Sequence, residues 1–264
     1  MFEIHDLKLE DGSYQGRIRV YLPKTYHKYK KKSFPVFYMH DGQNLFNRDS
    51  SSYGQIWAAH TVVDKMLKSR RFKGCILVGI DHPKGEDRLK YMTPWPSENP
   101  SEIGLEEIIG GQCQSYVRFI VECVKPFIDS TYRTLSDRAN TLIGGSSIGG
   151  LTSLYMQVRY PDIFSKVMGM STTSWFSPQA LRTCLESYDP HYKSRWYLDV
   201  GGKEVESIAF TQKYISGAQA LVESLKRAGV EEEDIEFIFD KEGVHNEMSW
   251  SRRLPYALKW LLDG

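Results

Sequence analysis

Short apolar, β-branched runs alternate with helix-period stripes along almost the whole chain, and this alternation limits the fold more than any other feature of the sequence. The runs at residues 17–22, 34–39, 75–80, 141–145, 165–170, 196–200 and 235–239 read as strands. Several are continuously apolar, as strands covered on both faces of a parallel sheet must be. Between them, Val117, Ile120, Val121 and Val124 form one helical stripe, which is expected to break near Pro126. Leu151, Leu154, Tyr155 and Val158 form a second, stopped by Tyr160-Pro161, and Tyr214, Ala218, Leu221, Val222 and Leu225 a third, closed by Gly229. Strand and helix in turn mean βαβ units and a mostly parallel sheet with helices on both faces. No repeat or low-complexity linker divides the chain, so residues 1–264 read as one α/β domain.

Composition excludes several classes of function. The 34 Lys+Arg balance 33 Asp+Glu, which leaves no overall field for nucleic acid or an anionic membrane. The apolar stretches, such as Cys75-Ile76-Leu77-Val78-Gly79-Ile80, are too short to span a bilayer. Met1-Phe2-Glu3-Ile4-His5-Asp6 has neither the basic flank nor the apolar run of a secretory signal. The four cysteines, Cys75, Cys113, Cys123 and Cys184, lack CxxC spacing and read as free thiols suited to the cytoplasm. Lys24, Lys28, Lys30, Lys31 and Lys32 read as a solvated loop, with a phosphate-binding patch as the sharper alternative. The segment 81–111, rich in Pro and Gly, reads as a long irregular loop leaving the C-terminal end of a strand, where α/β sheets place their sites.

The strongest local signal is Gly145-Ser146-Ser147-Ile148-Gly149, which follows the 141–145 strand and opens the Leu151 helix. A G-x-S-x-G in this strand–turn–helix context holds a serine on a turn so tight that flanking side chains would strike backbone. The helix N-terminus behind it favours developing negative charge. Ser147 is therefore the candidate nucleophile, and an unactivated hydroxyl needs a base.

In this architecture the order along the chain is serine, acid, histidine. Only His191 and His245 follow Ser147. His191 precedes a strand, at the wrong end of the sheet, whereas His245 follows the 235–239 strand and is the candidate base. The acid should leave the end of the 196–200 strand, in Asp199-Val200-Gly201-Gly202-Lys203-Glu204-Val205-Glu206. Glu204, beyond the glycine turn, is favoured; Asp199, Glu206 and a Ser–His pair without a carboxylate stay open. The backbone N–H of Ile148, with that of Gly42 or Gln43 in His40-Asp41-Gly42-Gln43-Asn44, would form an oxyanion hole. No His-x-His or HExxH spacing makes metal ligands of His40, Asp41 and His82.

These blocks resemble the putative esterase family of α/β-hydrolases, which includes esterase D-like, enterochelin, feruloyl and acetylxylan esterases. The segment from Phe34 to Phe46 is similar to its oxyanion-loop strand, Gly144 to Leu151 to its nucleophile block, and His245-Asn246-Glu247-Met248-Ser249-Trp250 to its histidine block. Arg88 to Trp95 resembles its Arg…Tyr-Thr-Pro stretch, though Lys90 stands where an acidic residue is expected. Asp199 to Glu204 resembles the acid segment and puts Glu204 in the acid position. The resemblance implies an α/β-hydrolase fold and serine ester hydrolysis through an acyl-enzyme, with no cofactor and a small-molecule ester as substrate. Feruloyl or acetyl sugar esters, siderophore esters and short-chain esters all fit. An acyltransferase and a non-catalytic binding protein on the same scaffold are the rival readings. Arg88, Tyr91, Trp95, Trp175 and Trp250 are the expected substrate contacts; a homo-oligomer is left open.

Overall fold

The computed structural model describes residues 2–69, 72–83 and 85–262. Its strands are β1 (Glu3–Lys8), β2 (Gln15–Tyr21), β3 (Val36–His40), β4 (Ile76–Ile80), β5 (Thr141–Ser146), β6 (Lys166–Met170), β7 (Arg195–Gly201) and β8 (Ile235–Asp240). Among the described residues they form an 8-stranded sheet in the order β1-β2-β4-β3-β5-β6-β7-β8. From β4 to β8 all pairings are parallel, while β1 and β2 add an antiparallel hairpin at one edge. Each predicted strand is present within a residue or two of its expected ends. The unanticipated one, β1, alternates exposed and half-buried positions and pairs only with β2, so its polar sequence carries little apolar signal.

The helices are α1 (Lys24–Lys28), α2 (Ala59–Met66), α3 (Asp87–Met92), α4 (Gln114–Arg118), α5 (Lys125–Thr131), α6 (Ile148–Arg159), α7 (Pro178–Glu186), α8 (Ile208–Arg227) and α9 (Glu247–Leu262). Strand periodicity sends most of the apolar residues into two main cores, beside a small third cluster of Val200, Tyr214 and Ala218. Val36, Tyr38, Ile143 and Val167 face one core with residues of α4–α8, including Val117, Ile128, Leu151, Leu185 and Leu225. Phe37, Met39, Leu142 and Met168 face the other with α2 and α9, through Val63, Leu254, Leu258 and Leu261. Each such side chain taken fully out of water contributes about 1.5–3 kcal/mol, so α9 is held against the sheet by a row of anchors, and its first turn is fixed with it.

Two local expectations are corrected. The helix carrying Val117 does not break at Pro126: a π-helical stretch, Phe119–Val124, joins α4 to α5. The wider turn relieves the clash between the proline ring and the carbonyl four residues back, which would end a regular helix. The 81–111 segment is not wholly irregular either, since it contains α3 and a short 3-10 turn, Pro100–Ile103. It is also tied down: Ser97 N–H donates to the Ile109 carbonyl (2.8 Å), Glu98 N–H to the Phe176 carbonyl (2.8 Å), and Ser177 Oγ to the Pro96 carbonyl (2.7 Å). The lysine segment forms α1 and the loop after it, and borders an open cavity of about 950 Å³ with Leu67, Phe72 and Lys73. No helix among the described residues is long and apolar enough to cross a membrane.

Candidate active site

Parallel strands place their C-terminal ends along one edge, and the candidate residues all emerge there. Ser147 joins β5 to α6 with φ +56° and ψ −124°, a conformation L-residues rarely adopt. The glycines around it are required by contact distance. A Cβ on Gly145 would lie 2.9 Å from the Gly149 carbonyl carbon, and one on Gly149 would lie 2.9 Å from His40 Cβ. The turn is pinned by Ser147 N–H donating to the Met170 carbonyl at 2.9 Å.

Glu204 and His245 leave adjacent strands, and backbone hydrogen bonds zip their loops together. Gly202 N–H donates to the Asp240 carbonyl (2.8 Å), Lys203 N–H to Gly243 (2.9 Å) and His245 N–H to Glu204 (3.0 Å). A Cβ on Gly201 would sit 2.3 Å from the Gly243 oxygen, so only glycine lets the two loops close. As a result His245 Nδ1 lies 2.7 Å from Glu204 Oε2, with the carboxylate fully buried and the imidazole 19% exposed. The other carboxylate oxygen, Oε1, accepts from Ser171 Oγ at 2.7 Å and from Gly201 N–H at 2.5 Å. Asp199 is engaged elsewhere: it lies under the site, 3.2 Å from the Arg253 guanidinium. Burial outweighs the attraction of Arg253 and pushes its carboxyl up to about 7. His191 is 92% exposed beside Asp189, away from the site.

Ser147 and His245 line one cavity of about 360 Å³ with Asp41, Asn44, Tyr53, Gln55, Trp57, Arg88 and Trp250. Of the expected substrate contacts, Arg88 and Trp250 are in this wall. The Arg88 guanidinium is already paired, its Nε and Nη2 donating to the two carboxylate oxygens of Asp41 at 2.8 Å. Burial alone would raise the Asp41 carboxyl, but Arg88 holds it below the usual carboxylate range. The pair thereby fixes Asp41, at φ +57°, as the residue that starts the Gly42–Asn44 turn. Gly42 packs so close to β4 that a Cβ would lie 2.5 Å from the Gly79 carbonyl carbon, and the Gln43 side chain accepts from His82 N–H at 3.1 Å. His40 is bonded to Tyr116 Oη (2.7 Å), and burial lowers its imidazole to about 4, so it is neutral at ordinary pH.

Trp250 stacks on Trp57 at 5.7 Å and meets His245 edge-on at 4.9 Å. Tyr91, Trp95 and Trp175 are not in this wall. Trp95 packs edge-on against Tyr155, and Trp175 packs against Phe210 and Tyr214 beside a separate cavity of about 310 Å³. Ser171, Tyr214, Trp57 and Gln55 were missed by sequence reasoning. Tyr214 lies 4.9 Å from the His245 ring, yet in the sequence it is only one member of a helical stripe. Ser171, directly after β6, carried a positional hint, because strand ends at this edge supply sites.

Residues 14–261 match the model of the family described as "Putative esterase". An uncharacterized protein of Bacillus subtilis, YbbA, is 25% identical over 246 residues, spanning 93% of this chain and 92% of that one. Among solved structures, a ferulic acid esterase superposes with a TM-score of 0.69 at 18% identity, over 98% of both chains. The enterobactin esterase FES from Shigella flexneri, with 2,3-di-hydroxy-N-benzoyl-serine, gives 0.74 at 16% identity, over 99% of this chain and 59% of that one. At such identities the two structures establish the α/β-hydrolase fold alone.

Proposed function

This chain belongs to the esterase family of α/β-hydrolases, and from that premise we propose that Ser147, His245 and Glu204 hydrolyse a carboxylic ester through an acyl-enzyme. The observation that carries this reading is the 2.7 Å contact from buried Glu204 to Nδ1 of His245, which shares a cavity wall with Ser147. Glu204 holds the imidazole with its proton on Nδ1, so Nε2 is free to take the Ser147 proton as Oγ attacks the ester carbonyl. The tetrahedral oxyanion is received by the Ile148 N–H and by that of Gly42 or Gln43. His245 returns the proton to the leaving alcohol and then activates water to release the acid. No cofactor enters these steps.

The cavity wall favours a neutral substrate that bears a hydroxyl. Asp41 neutralises Arg88, so this cation of the wall is already paired and does not await an anionic acyl group. Gln55 lines this wall, and its Oε1 is buried and unpartnered among the described residues, so a turn of the amide toward the cavity would give a substrate donor its acceptor. Ferulate and the dihydroxybenzoyl group of the FES ligand both carry such a hydroxyl. The whole chain acts as one domain, since both apolar cores lie on the faces of a single sheet. Its four cysteines are free, as suits the reducing cytoplasm.

Intact mass after incubation with a fluorophosphonate tests the nucleophile. One adduct is expected on the wild type and none on Ser147→Ala; a folded wild type without an adduct would move the binding-protein reading ahead.

A further inference from the structure

Ser171 is buried, and its φ of +45° places a side-chain-bearing residue in the strained left-handed region. Its hydroxyl has one proton and two lone pairs to dispose of. Trp250 Nε1 donates to its oxygen at 2.9 Å and the Arg253 guanidinium at 3.1 Å. Neither group can accept a hydrogen bond, so both lone pairs are taken and the Ser171 proton goes to Glu204 Oε1, 2.7 Å away. Gly201 N–H supplies a second donor to the same oxygen.

A proton on Oε1 would face two donor hydrogens, so that oxygen stays an acceptor. With both donors spent on Oε1, Oε2 is the oxygen left facing His245, where it receives the proton of Nδ1. Asp199 anchors the far end. It pairs with Arg253 at 3.2 Å and accepts from Ser171 N–H at 3.3 Å, which holds guanidinium and hydroxyl in register. Glu204 faces Ser171 after β6 and His245 after β8, with the charge of Asp199 on β7 and the phenol of Tyr214 on α8 close by, while Trp250 and Arg253 on α9 reach it through Ser171.

We infer that Ser171 is a positioning residue whose hydroxyl, with its direction fixed by Trp250 and Arg253, imposes on Glu204 the acceptor role that sets the His245 tautomer. The inference rests on the Ser147–His245–Glu204 reading and adds to it the device that gives the acid its polarity. It also assigns a use to the strained backbone at Ser171, which the hydrolytic steps themselves leave unexplained.

A double-mutant cycle on p-nitrophenyl acetate hydrolysis tests it. Ser171→Ala should lower kcat about 10–100-fold, the loss of a hydrogen bond to a charged group, with KM changed less than about twofold. In a Glu204→Gln background the same substitution should cost less than about twofold, because Ser171 acts only through Glu204. Ser171→Gly gives an independent route. Glycine accepts the positive φ without strain, which offsets part of the cost of the buried groups left unpaired, so Tm should fall less than in the alanine variant while kcat falls as far. Additive losses in the cycle, or near-wild-type kcat in both Ser171 variants beside a crippled Glu204→Gln, would overturn the inference and leave the triad standing. A fully active Glu204→Gln would instead bring down the triad reading beneath it.

Discussion

Replacing Glu204 by glutamine exchanges one oxygen for an NH₂ group at nearly constant shape, so the hydrogen-bond pattern around the side chain dictates the result. Ser171 and Gly201 both donate to Oε1, and His245 Nδ1 lies at Oε2. If the amide NH₂ faced Ser171 and Gly201, donor would meet donor in a site fully shielded from water. The amide oxygen must take that position, and the NH₂ then points at His245. The imidazole can answer only by accepting at Nδ1, which moves its proton to Nε2 and removes the base that Ser147 needs. An enzyme trapped in the wrong tautomer loses roughly 10⁴-fold in kcat, about 5 kcal/mol of barrier. Hydrolysis of p-nitrophenyl acetate, with the rate of fluorophosphonate labelling in parallel, measures this directly, and near-UV circular dichroism checks the fold. A loss under about tenfold in a folded variant would refute the reasoning, because a tautomer switch cannot be that mild.

Two further outcomes follow from the same geometry. Burial raises the Asp199 carboxyl to about 7, so the folded chain binds this proton more tightly than the unfolded chain does. That contribution to stability is complete below the unfolded value near 3.8 and is lost as pH rises through about 7. Urea unfolding at pH 5 and pH 8 should therefore show Asp199→Asn gaining on the wild type at the higher pH, and an equal difference at both would contradict the linkage. Gln55→Leu removes the unpartnered acceptor of the cavity. The wild type should prefer a 4-hydroxycinnamoyl ester over the cinnamoyl ester by about 3–10-fold in kcat/KM, the value of one neutral hydrogen bond. The variant should lose that preference; an unchanged ratio would take Gln55 out of the substrate contact.

The fold was legible because its signals are local. Apolar runs that must be covered on both faces, and stripes at helical spacing, reveal parallel strands and packed helices without knowledge of their partners. Where the signal was weak, the element was weakly buried, as with β1, or its rule was suspended by neighbours, as when the π-helical stretch carries the chain past Pro126. The Ser147 turn was legible for the same reason, since a tight strand–helix junction writes its glycines into adjacent positions.

Sequence alone favoured Glu204 but left Asp199, Glu206 and a Ser–His pair open, for the three carboxylates lie within eight residues at the end of one strand. The choice between them is made across chains of contact that sequence spacing does not carry. The glycines at 201 and 243 let the β7 and β8 loops meet, which brings Glu204 to His245, while Arg253, 54 residues further on in α9, draws Asp199 beneath the site. Arg88 shows the same division. A motif singled it out and the structure puts it in the cavity wall, but its bond to Asp41, which makes it a brace for the loop after β3, exists only in the folded chain. Residue type and local spacing thus determined which groups of this protein can react. Tertiary packing decided which carboxylate is aimed at the imidazole, because direction and desolvation are properties of the surroundings rather than of the residue.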